Sequence, residues 1–146
     1  MPHESFTDWF NAQGFRHFSA GEFTRYFARE RKGVKNSPPP RMLWKNLTPT
    51  LRVVDDLRQH LGKPCRILSS YRSPDYNKAV GGAVLSKHVD FNALDIAFEG
   101  ISAGLVYAVL IAWRKDGRFK GGLGFYPSSG FVHIDTRGSN TTWKGK

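Results

Sequence analysis

Three residues of the sequence could together hold a metal ion. His88 lies seven residues before Asp95, and His133 follows further along the chain. Two imidazoles and one carboxylate form a ligand set that catalytic zinc uses, and they leave the fourth tetrahedral position to water. Zinc lowers the pKa of that water to about 7 and polarises a scissile carbonyl, which is the chemistry of peptide hydrolysis. From spacing alone, each histidine could instead make only an ordinary hydrogen bond.

Local patterns predict that two of these residues lie on strands. Alternation in the run 93–98 indicates a half-buried strand on which Asp95 has small neighbours. A carboxylate in such a strand is costly to bury unless it is paired or coordinated. In the run 131–137, the same alternation puts His133 and Asp135 on one face.

The other three histidines are not expected to be ligands. His3 is near the N-terminal end, which we expect to be mobile. His17 lies in an aromatic segment, and His60 is predicted to face solvent on a leucine-rich helix.

Hydrophobic periodicity and turn signals predict the elements that position the candidate ligands. Apolar residues at helical spacing predict a helix that has Thr48 as its N-cap and ends before Gly62. Ser102 is predicted to cap a second helix, which stops at Gly117. The predicted strands cover residues 65–70, 93–98, 122–126 and 131–137.

Both ends of the chain differ in character from its centre. Residues 1–45 are aromatic and basic, and they are predicted to form short helices and loops that end in the run Pro38–Pro40. We interpret this run as a rigid elbow within one domain, and a linker between two domains is the alternative. The tail over residues 139–146 is rich in Gly, Asn, Thr and Lys and is expected to be mobile.

The order of elements predicts the fold class. A chain of 146 residues is expected to form a single domain over residues 1–146. Helices, a strand, a loop, a strand, a helix and a hairpin indicate an α+β fold, with a small, mostly antiparallel sheet and helices packed on one side. A chain of this size can fold without a metal or a disulfide.

The charge of the chain points to polyanionic partners. The sequence has 22 Lys and Arg against 12 Asp and Glu, for a net charge of +10. Nucleic acid, an anionic membrane surface and an acidic cell-wall polymer all fit this charge. An aromatic content of 14% excludes a disordered basic tail.

Cysteine content and terminal sequence bear on location. Cys65 is the single cysteine and lies in an apolar run, so we interpret it as a core residue. The sequence begins without a basic region followed by an apolar one, which predicts no secretory signal and synthesis in the cytosol, unless a signal was trimmed. No apolar stretch is long enough for a membrane span. We expect a monomer.

Several motifs together resemble a known family. The run Ser86-x-His88-x4-Ala93-x-Asp95 is preceded by Ser70-Tyr71-Arg72-Ser73 and followed by Phe131-Val132-His133-Ile134-Asp135. In this combination and order the chain resembles the zinc D-alanyl-D-alanine carboxypeptidase and L-alanyl-D-glutamate endopeptidase family of murein peptidases. The resemblance extends from about residue 18 to residue 138. It implies a hedgehog-like fold and a zinc-dependent peptidase that acts on peptidoglycan stem peptides.

The resemblance also implies roles for individual residues. His88, Asp95 and His133 would bind zinc. Arg72 would be a catalytic residue that pairs with a substrate carboxylate or with the carbonyl oxygen as it becomes an oxyanion, since a guanidinium is always charged and donates in a fork. Ser86 would contact substrate or support a ligand, or only cap its loop.

Two of the expected roles stay open at this stage. Tyr71 could contact substrate or be a structural turn residue. Members of the family place a glutamate three residues, or a histidine two residues, before the last zinc histidine, but here these positions are Gly130 and Phe131. Asp135 remains as the candidate general base. It could instead orient His133, or Asp135 could be the metal ligand and His133 the base.

Two other classes of function compete with the peptidase. Arg25, Tyr26 and Arg29 belong to a basic, aromatic segment that could stack nucleic-acid bases, yet no nucleic-acid motif is present, and we expect no such partner. A zinc-containing domain that binds the wall without turnover is the other alternative. Neither the bond cut, by an exopeptidase or an endopeptidase, nor a phage or bacterial origin follows from the sequence.

Overall fold

A computed structural model of the chain describes residues 5–146, so that His3 lies outside the described part. The helices are α1 (Phe6–Ala12), α2 (Gly21–Phe27), α3 (Leu47–Leu61), α4 (Pro74–Ala79) and α5 (Ala103–Lys115), and a 3-10 helix, Arg41–Asn46, precedes α3. The strands are β1 (Glu30–Arg31), β2 (Val34–Lys35), β3 (Cys65–Ser69), β4 (Ala93–Phe98), β5 (Gly122–Tyr126), β6 (Phe131–Asp135) and β7 (Thr141–Lys144). The predicted α+β class is confirmed.

The main sheet has five strands in the order β3-β4-β6-β5-β7. The pairings of β3 with β4, β4 with β6 and β6 with β5 are antiparallel, and β5 with β7 is parallel. The sheet is therefore mostly antiparallel, as predicted. Strands β1 and β2 form a separate two-stranded hairpin.

The hydrophobic core lies between α3, α5 and one face of the main sheet. Along β4, Leu94 and Ile96 are fully buried in this core, while Asp95 points to the opposite face of the sheet. Cys65 also lies in the core, where burial raises the pKa of its thiol to about 12. The interpretation of this cysteine as a core residue is confirmed.

Both long helices end as the sequence predicts, but one of them starts differently. Gly62 adopts the left-handed conformation after α3 with a φ of +67°, and Ser102 accepts a hydrogen bond from the Leu105 backbone N–H at the start of α5. Thr48 is not a cap, because the 3-10 helix runs directly into α3 at Leu47 and Thr48 is already helical. None of the described helices is long and apolar enough to cross a membrane.

The N-terminal segment packs onto the same core. Phe10 and Phe23 are buried in the same hydrophobic cluster as residues of α3, so the aromatic spacing reflects packing rather than a base-stacking surface. The carboxylate of Asp55 in α3 accepts hydrogen bonds from the backbone N–H groups of Arg16 and His17, each at 3.0 Å. Helix α3 therefore fixes the path of this segment.

The C-terminal tail is part of the sheet, and the prediction that it is mobile is wrong. Thr141–Lys144 form β7, which satisfies the open edge of β5. Arg114 of α5 donates to the Thr141 carbonyl at 2.9 Å and to the Thr142 hydroxyl at 2.6 Å. Residue composition suggested flexibility, whereas the β-propensity of the Thr-Thr-Trp sequence and an available sheet edge decided the outcome.

Candidate metal centre

The three predicted ligands meet on the face of the sheet that is turned away from the core. The register of β4 and β6 pairs Asp95 with His133, and His88 comes from the loop before β4. Asp95 Oδ1 lies 3.2 Å from His88 Nε2 and 3.2 Å from His133 Nδ1. All three side chains are buried, and their ligand atoms lie within 4.8 Å of one another.

Hydrogen bonds on the far side of each imidazole fix which nitrogen faces the cluster. His88 Nδ1 lies 2.7 Å from the Ser70 carbonyl oxygen, and His133 Nε2 lies 2.8 Å from Asp135 Oδ2. Carbonyl and carboxylate oxygens only accept, so in the neutral rings these two nitrogens carry the protons. His88 Nε2 and His133 Nδ1 therefore direct lone pairs toward Asp95.

This donor set fits a tetrahedral cation. With bonds of about 2.0–2.1 Å to nitrogen and oxygen, two ligand atoms on a zinc tetrahedron lie about 3.3 Å apart. The two separations from Asp95 Oδ1, each 3.2 Å, match that value. The three ligand atoms all lie within 4.8 Å of one another, and three protein ligands leave a further coordination position for water.

The electrostatics of the cluster favour the binding forms of His88 and Asp95, whereas burial of His133 is outweighed by its hydrogen bonds to Asp135 and Asp95, which raise the pKa of His133. Burial chiefly lowers the pKa of His88, which favours its neutral imidazole. Burial alone would raise the pKa of Asp95, but His88 and His133 outweigh it and hold that pKa below its ordinary value. At neutral pH an ionised carboxylate therefore faces a neutral His88, as metal coordination needs.

Asp135 is fully buried behind His133. Its Oδ1 accepts from the Gly122 backbone N–H at 2.9 Å and from Arg137 Nε at 2.9 Å. Its Oδ2 accepts from His133 Nε2 at 2.8 Å and from an Arg137 terminal nitrogen at 2.7 Å. Burial opposes the charge, yet hydrogen bonds from Arg137 and His133 hold the pKa of Asp135 below its ordinary value. This geometry favours an orienting partner over a general base.

Arg72 lies beside the cluster with all three guanidinium nitrogens engaged. It donates to Ser69 Oγ at 3.2 Å, to Asn77 Oδ1 at 3.2 Å and to Asp95 Oδ2 at 3.4 Å. The side chain is 16% exposed. The structure thus brings Arg72 to the site as predicted and holds its planar fork in one orientation.

A β-bulge in β3 supplies one of these supports, which the sequence analysis missed. The pairing with β4 shifts between Ile67 and Ser69, so Leu68 is passed over and Ser69 lies opposite Asp95. Without the bulge, an apolar side chain would face the carboxylate. Asn77, the other support, lies in α4, where the polar run after Arg72 was the available signal.

A groove of about 550 Å³ opens onto the cluster. Its lining includes the side chains of Arg72, Ser86, Lys87, His88, Asp95, Tyr126, Phe131, His133, Arg137 and Trp143, together with the loop 80–85. Ser86 lies at the groove as predicted, and its hydroxyl accepts from the His88 backbone N–H at 3.2 Å.

Tyr71 does not line this groove, which favours the alternative that it is a structural residue over contact with substrate. Its side chain is 4% exposed and packs at right angles on Phe27 and Phe91 in the core. Burial raises the pKa of its hydroxyl. Adjacent residues of an extended chain point to opposite sides, so Arg72 faces the site and Tyr71 faces the core.

Two aromatic residues of the groove were not predicted. The Trp143 ring lies 4.8 Å from the His133 ring, and its indole N–H donates to the Tyr126 hydroxyl at 2.9 Å. The composition of its segment predicts a mobile tail, which hides Trp143 from the sequence analysis. A lone tryptophan in a polar tail was the signal that could have found it.

Comparisons with known proteins agree with this site. The chain is 38% identical over 79 residues to the peptidoglycan L,D-endopeptidase MepK of Escherichia coli (strain K12), covering 51% of this chain and 41% of that protein. It is 33% identical over 84 residues to the probable peptidoglycan L,D-endopeptidase MepK of Haemophilus influenzae, covering 54% and 42%. The chain thus spans about two fifths of the length of these curated relatives. No solved structure matches significantly.

The match to a whole family is broader than these pairwise matches. The family model described as peptidase M15 matches residues 16–135, which include all three candidate ligands and Arg72. That range takes in every strand of the main sheet except β7. The chain therefore belongs to the peptidase M15 family.

Proposed function

We propose that the chain is a zinc-dependent peptidase that hydrolyses peptide bonds in the stem peptides of peptidoglycan. The observation that carries this proposal is the convergence of two imidazole nitrogens and a carboxylate oxygen within 4.8 Å of one another, in a groove beside Arg72. Family membership supports a peptidase, and the names of the MepK relatives support peptidoglycan as substrate. Those names also favour an endopeptidase over a carboxypeptidase.

Zinc bound by His88, Asp95 and His133 would supply an activated water and polarise the scissile carbonyl. The protein keeps those ligands in place through the Ser70 carbonyl, which holds the His88 ring, and Asp135, which holds the His133 ring. Partners of this kind fix the tautomer of a metal-binding histidine and raise its basicity. We therefore assign Asp135 an orienting role.

Arg72 is proposed to bind the reacting part of the substrate. Its guanidinium is fixed by Ser69 and Asn77, so little conformational freedom is lost when it pairs with a peptide oxygen. Donors that are already in position stabilise the charge that develops on a carbonyl oxygen in the transition state. Ser86 is proposed to donate a hydrogen bond from its hydroxyl to the same peptide.

Charge favours an anionic substrate. Arg72, Lys87 and Arg137 line the groove, and the whole chain carries a net charge of +10. Stem peptides carry free carboxylates and belong to an anionic wall, so this field brings the protein to its substrate. We propose that the protein acts at the cell wall.

Digestion of purified cell-wall sacculi tests the proposal. We expect the zinc-loaded protein to release new amino groups, EDTA to abolish the release, and added zinc to restore it. His88→Ala should lose at least about a hundredfold in rate, as expected when a metal ligand is removed. His60→Ala is the matched control, because His60 is exposed on α3 and does not line the groove. Full activity of His88→Ala, or activity that survives EDTA, would overturn the zinc mechanism.

A further inference from the structure

Tyr126 lies at the rim of the groove on the same face of the sheet as the candidate ligands. It is the last residue of β5, and the register pairs it with Phe131, two residues before His133 on β6. Its half-buried side chain lines the groove together with Arg72 and His133. A group on the Tyr126 ring can therefore touch a ligand that also reaches the cluster.

Three contacts hold the Tyr126 ring in one position. The Phe131 ring stacks on it with centroids 4.4 Å apart and planes 12° apart. The backbone of Gly145 also approaches so closely that a Cβ there would overlap the ring. The Trp143 indole N–H donates to its hydroxyl at 2.9 Å. A side chain fixed in this way loses little freedom when it binds a ligand.

The hydrogen bond from Trp143 determines what the hydroxyl can offer. An indole N–H only donates, so the Tyr126 oxygen is the acceptor and its own proton remains available. Within residues 5–146, that proton has no acceptor. The hydroxyl is thus a donor without a partner among the described residues, at the edge of a groove that contains a candidate metal centre.

We propose that Tyr126 is a substrate-binding residue whose hydroxyl donates to a carbonyl or carboxylate oxygen of the bound stem peptide, and that Trp143 is the residue that positions it. The inference rests on the proposed function and assigns a further contact in the same site. Trp143 also packs on the His133 ring, and the Arg137 guanidinium lies 5.5 Å from the centre of the Trp143 ring. Strand β7 therefore contacts both a candidate metal ligand and the proposed substrate-binding residue.

A hydroxyl deletion with a matched control tests the proposal. Tyr126→Phe keeps the stack on Phe131 and removes the hydroxyl, which is both the proposed donor to the peptide and the acceptor of the Trp143 indole N–H. The control is Tyr107→Phe, because Tyr107 also stacks on a phenylalanine, at 4.9 Å, but lies on α5 and outside the groove. On a soluble muropeptide from digested sacculi, we expect kcat/KM to fall about tenfold for Tyr126→Phe, the loss of one hydrogen bond, and to stay unchanged for Tyr107→Phe.

Two further readouts separate a substrate contact from a structural effect. The zinc content and the midpoint of thermal unfolding should match wild type in Tyr126→Phe. Trp143→Phe should also lower kcat/KM, and its effect should be less than additive in the double variant Tyr126→Phe/Trp143→Phe, because both substitutions act through one hydroxyl. Additive losses would show that Trp143 acts by another route.

A binding measurement keeps this inference separate from the proposed function. By calorimetry on zinc-free protein, the muropeptide should bind Tyr126→Phe about tenfold more weakly than wild type. A wild-type protein that binds the muropeptide without hydrolysing it would overturn the proposed activity but not this contact. Wild-type kcat/KM and affinity in Tyr126→Phe would overturn the contact alone.

Discussion

Asp135 and Tyr71 mark how far residue types alone can identify a site. The alternation of β6 correctly puts Asp135 beside His133, but it does not reveal that Arg137 and the Gly122 backbone N–H enclose the carboxylate. Tyr71 belongs to the same motif as Arg72, yet its ring points into the core. The three candidate ligands could be predicted from their motifs, and the cost of burying a carboxylate singled out Asp95, whereas the direction of each neighbouring side chain depends on tertiary packing.

Replacement of Asp135 tests its proposed orienting role. Asp135→Asn removes the negative charge that accepts hydrogen bonds from Arg137 and His133. The new amide nitrogen would then face N–H donors. We expect zinc affinity to fall about 10–100-fold, and the free energy of unfolding to fall by about 1–3 kcal/mol because buried donors lose their acceptor. Competition with a chelator and urea denaturation measure the two effects. Asp90→Asn is the control, since Asp90 is 52% exposed in its pair with Lys87 and should contribute less than about 0.5 kcal/mol.

The pH dependence of this variant has a definite sign. The pKa of Asp135 is lowered in the folded protein, so its charge contributes stability above the unfolded pKa of about 3.9, and that contribution is lost as pH falls further. Wild type should therefore lose more stability than Asp135→Asn between about pH 5 and the acid range. Unchanged zinc affinity together with lost turnover in Asp135→Asn would instead identify Asp135 as the general base.

At the scale of elements, the main helices and strands could be predicted, but two features of strand pairing could not. The bulge in β3 depends on pairing with β4, which puts Ser69 rather than Leu68 opposite Asp95. Strand β7 depends on a free edge of β5 that no local pattern reveals. Both features involve partners distant in sequence. Strand β7 supplies Trp143 to the groove, and the bulge supplies Ser69, which accepts a hydrogen bond from Arg72. Local periodicity therefore put Asp95 and His133 on strands but missed the elements that complete the site.

The close packing of β7 on β5 gives a test at this scale. Gly124 lies beneath the Trp143 indole, where a Cβ would come within 2.5 Å of the indole nitrogen. Gly124→Ala should displace Trp143, lower the free energy of unfolding by about 1–3 kcal/mol, and reduce the near-ultraviolet circular dichroism of the tryptophans. Because the indole packs on His133, zinc affinity should fall as well.

Gly104 provides the matched glycine. A Cβ at Gly104 would lie 3.8 Å from the Phe125 ring, an ordinary contact with the same strand β5. Gly104→Ala lies in α5, so its stability should be unchanged or higher by up to about 1 kcal/mol. Equal stability and equal spectra for the two variants would contradict the role assigned to β7.

At the scale of the whole molecule, the core and the candidate metal centre occupy opposite faces of one sheet. Leu94, Ile96 and Ile134 contribute to the core, while Asp95 and His133 alternate with them on the other face. The fold class could be predicted because this alternation is a property of the sequence. The cluster also has protein partners of its own, since Arg72 donates to Asp95 and Asp135 accepts from His133. The buried polar groups of the cluster therefore have hydrogen-bond partners in the protein, and the hydrophobic core does not require the metal.

Removal of the metal tests this separation of fold from chemistry. EDTA-treated protein should keep its far- and near-ultraviolet circular dichroism and unfold cooperatively while hydrolysing no peptide. Zinc should then stabilise the folded state by about 4 kcal/mol at a free concentration a thousandfold above its dissociation constant, which raises the unfolding midpoint by roughly 8–16 °C for a chain of this size. Calcium is the control cation, because it prefers more numerous oxygen ligands and should produce little shift. A metal-free protein without near-ultraviolet signal would mean that the cluster holds the fold together, contrary to the position of the core on the opposite face of the sheet.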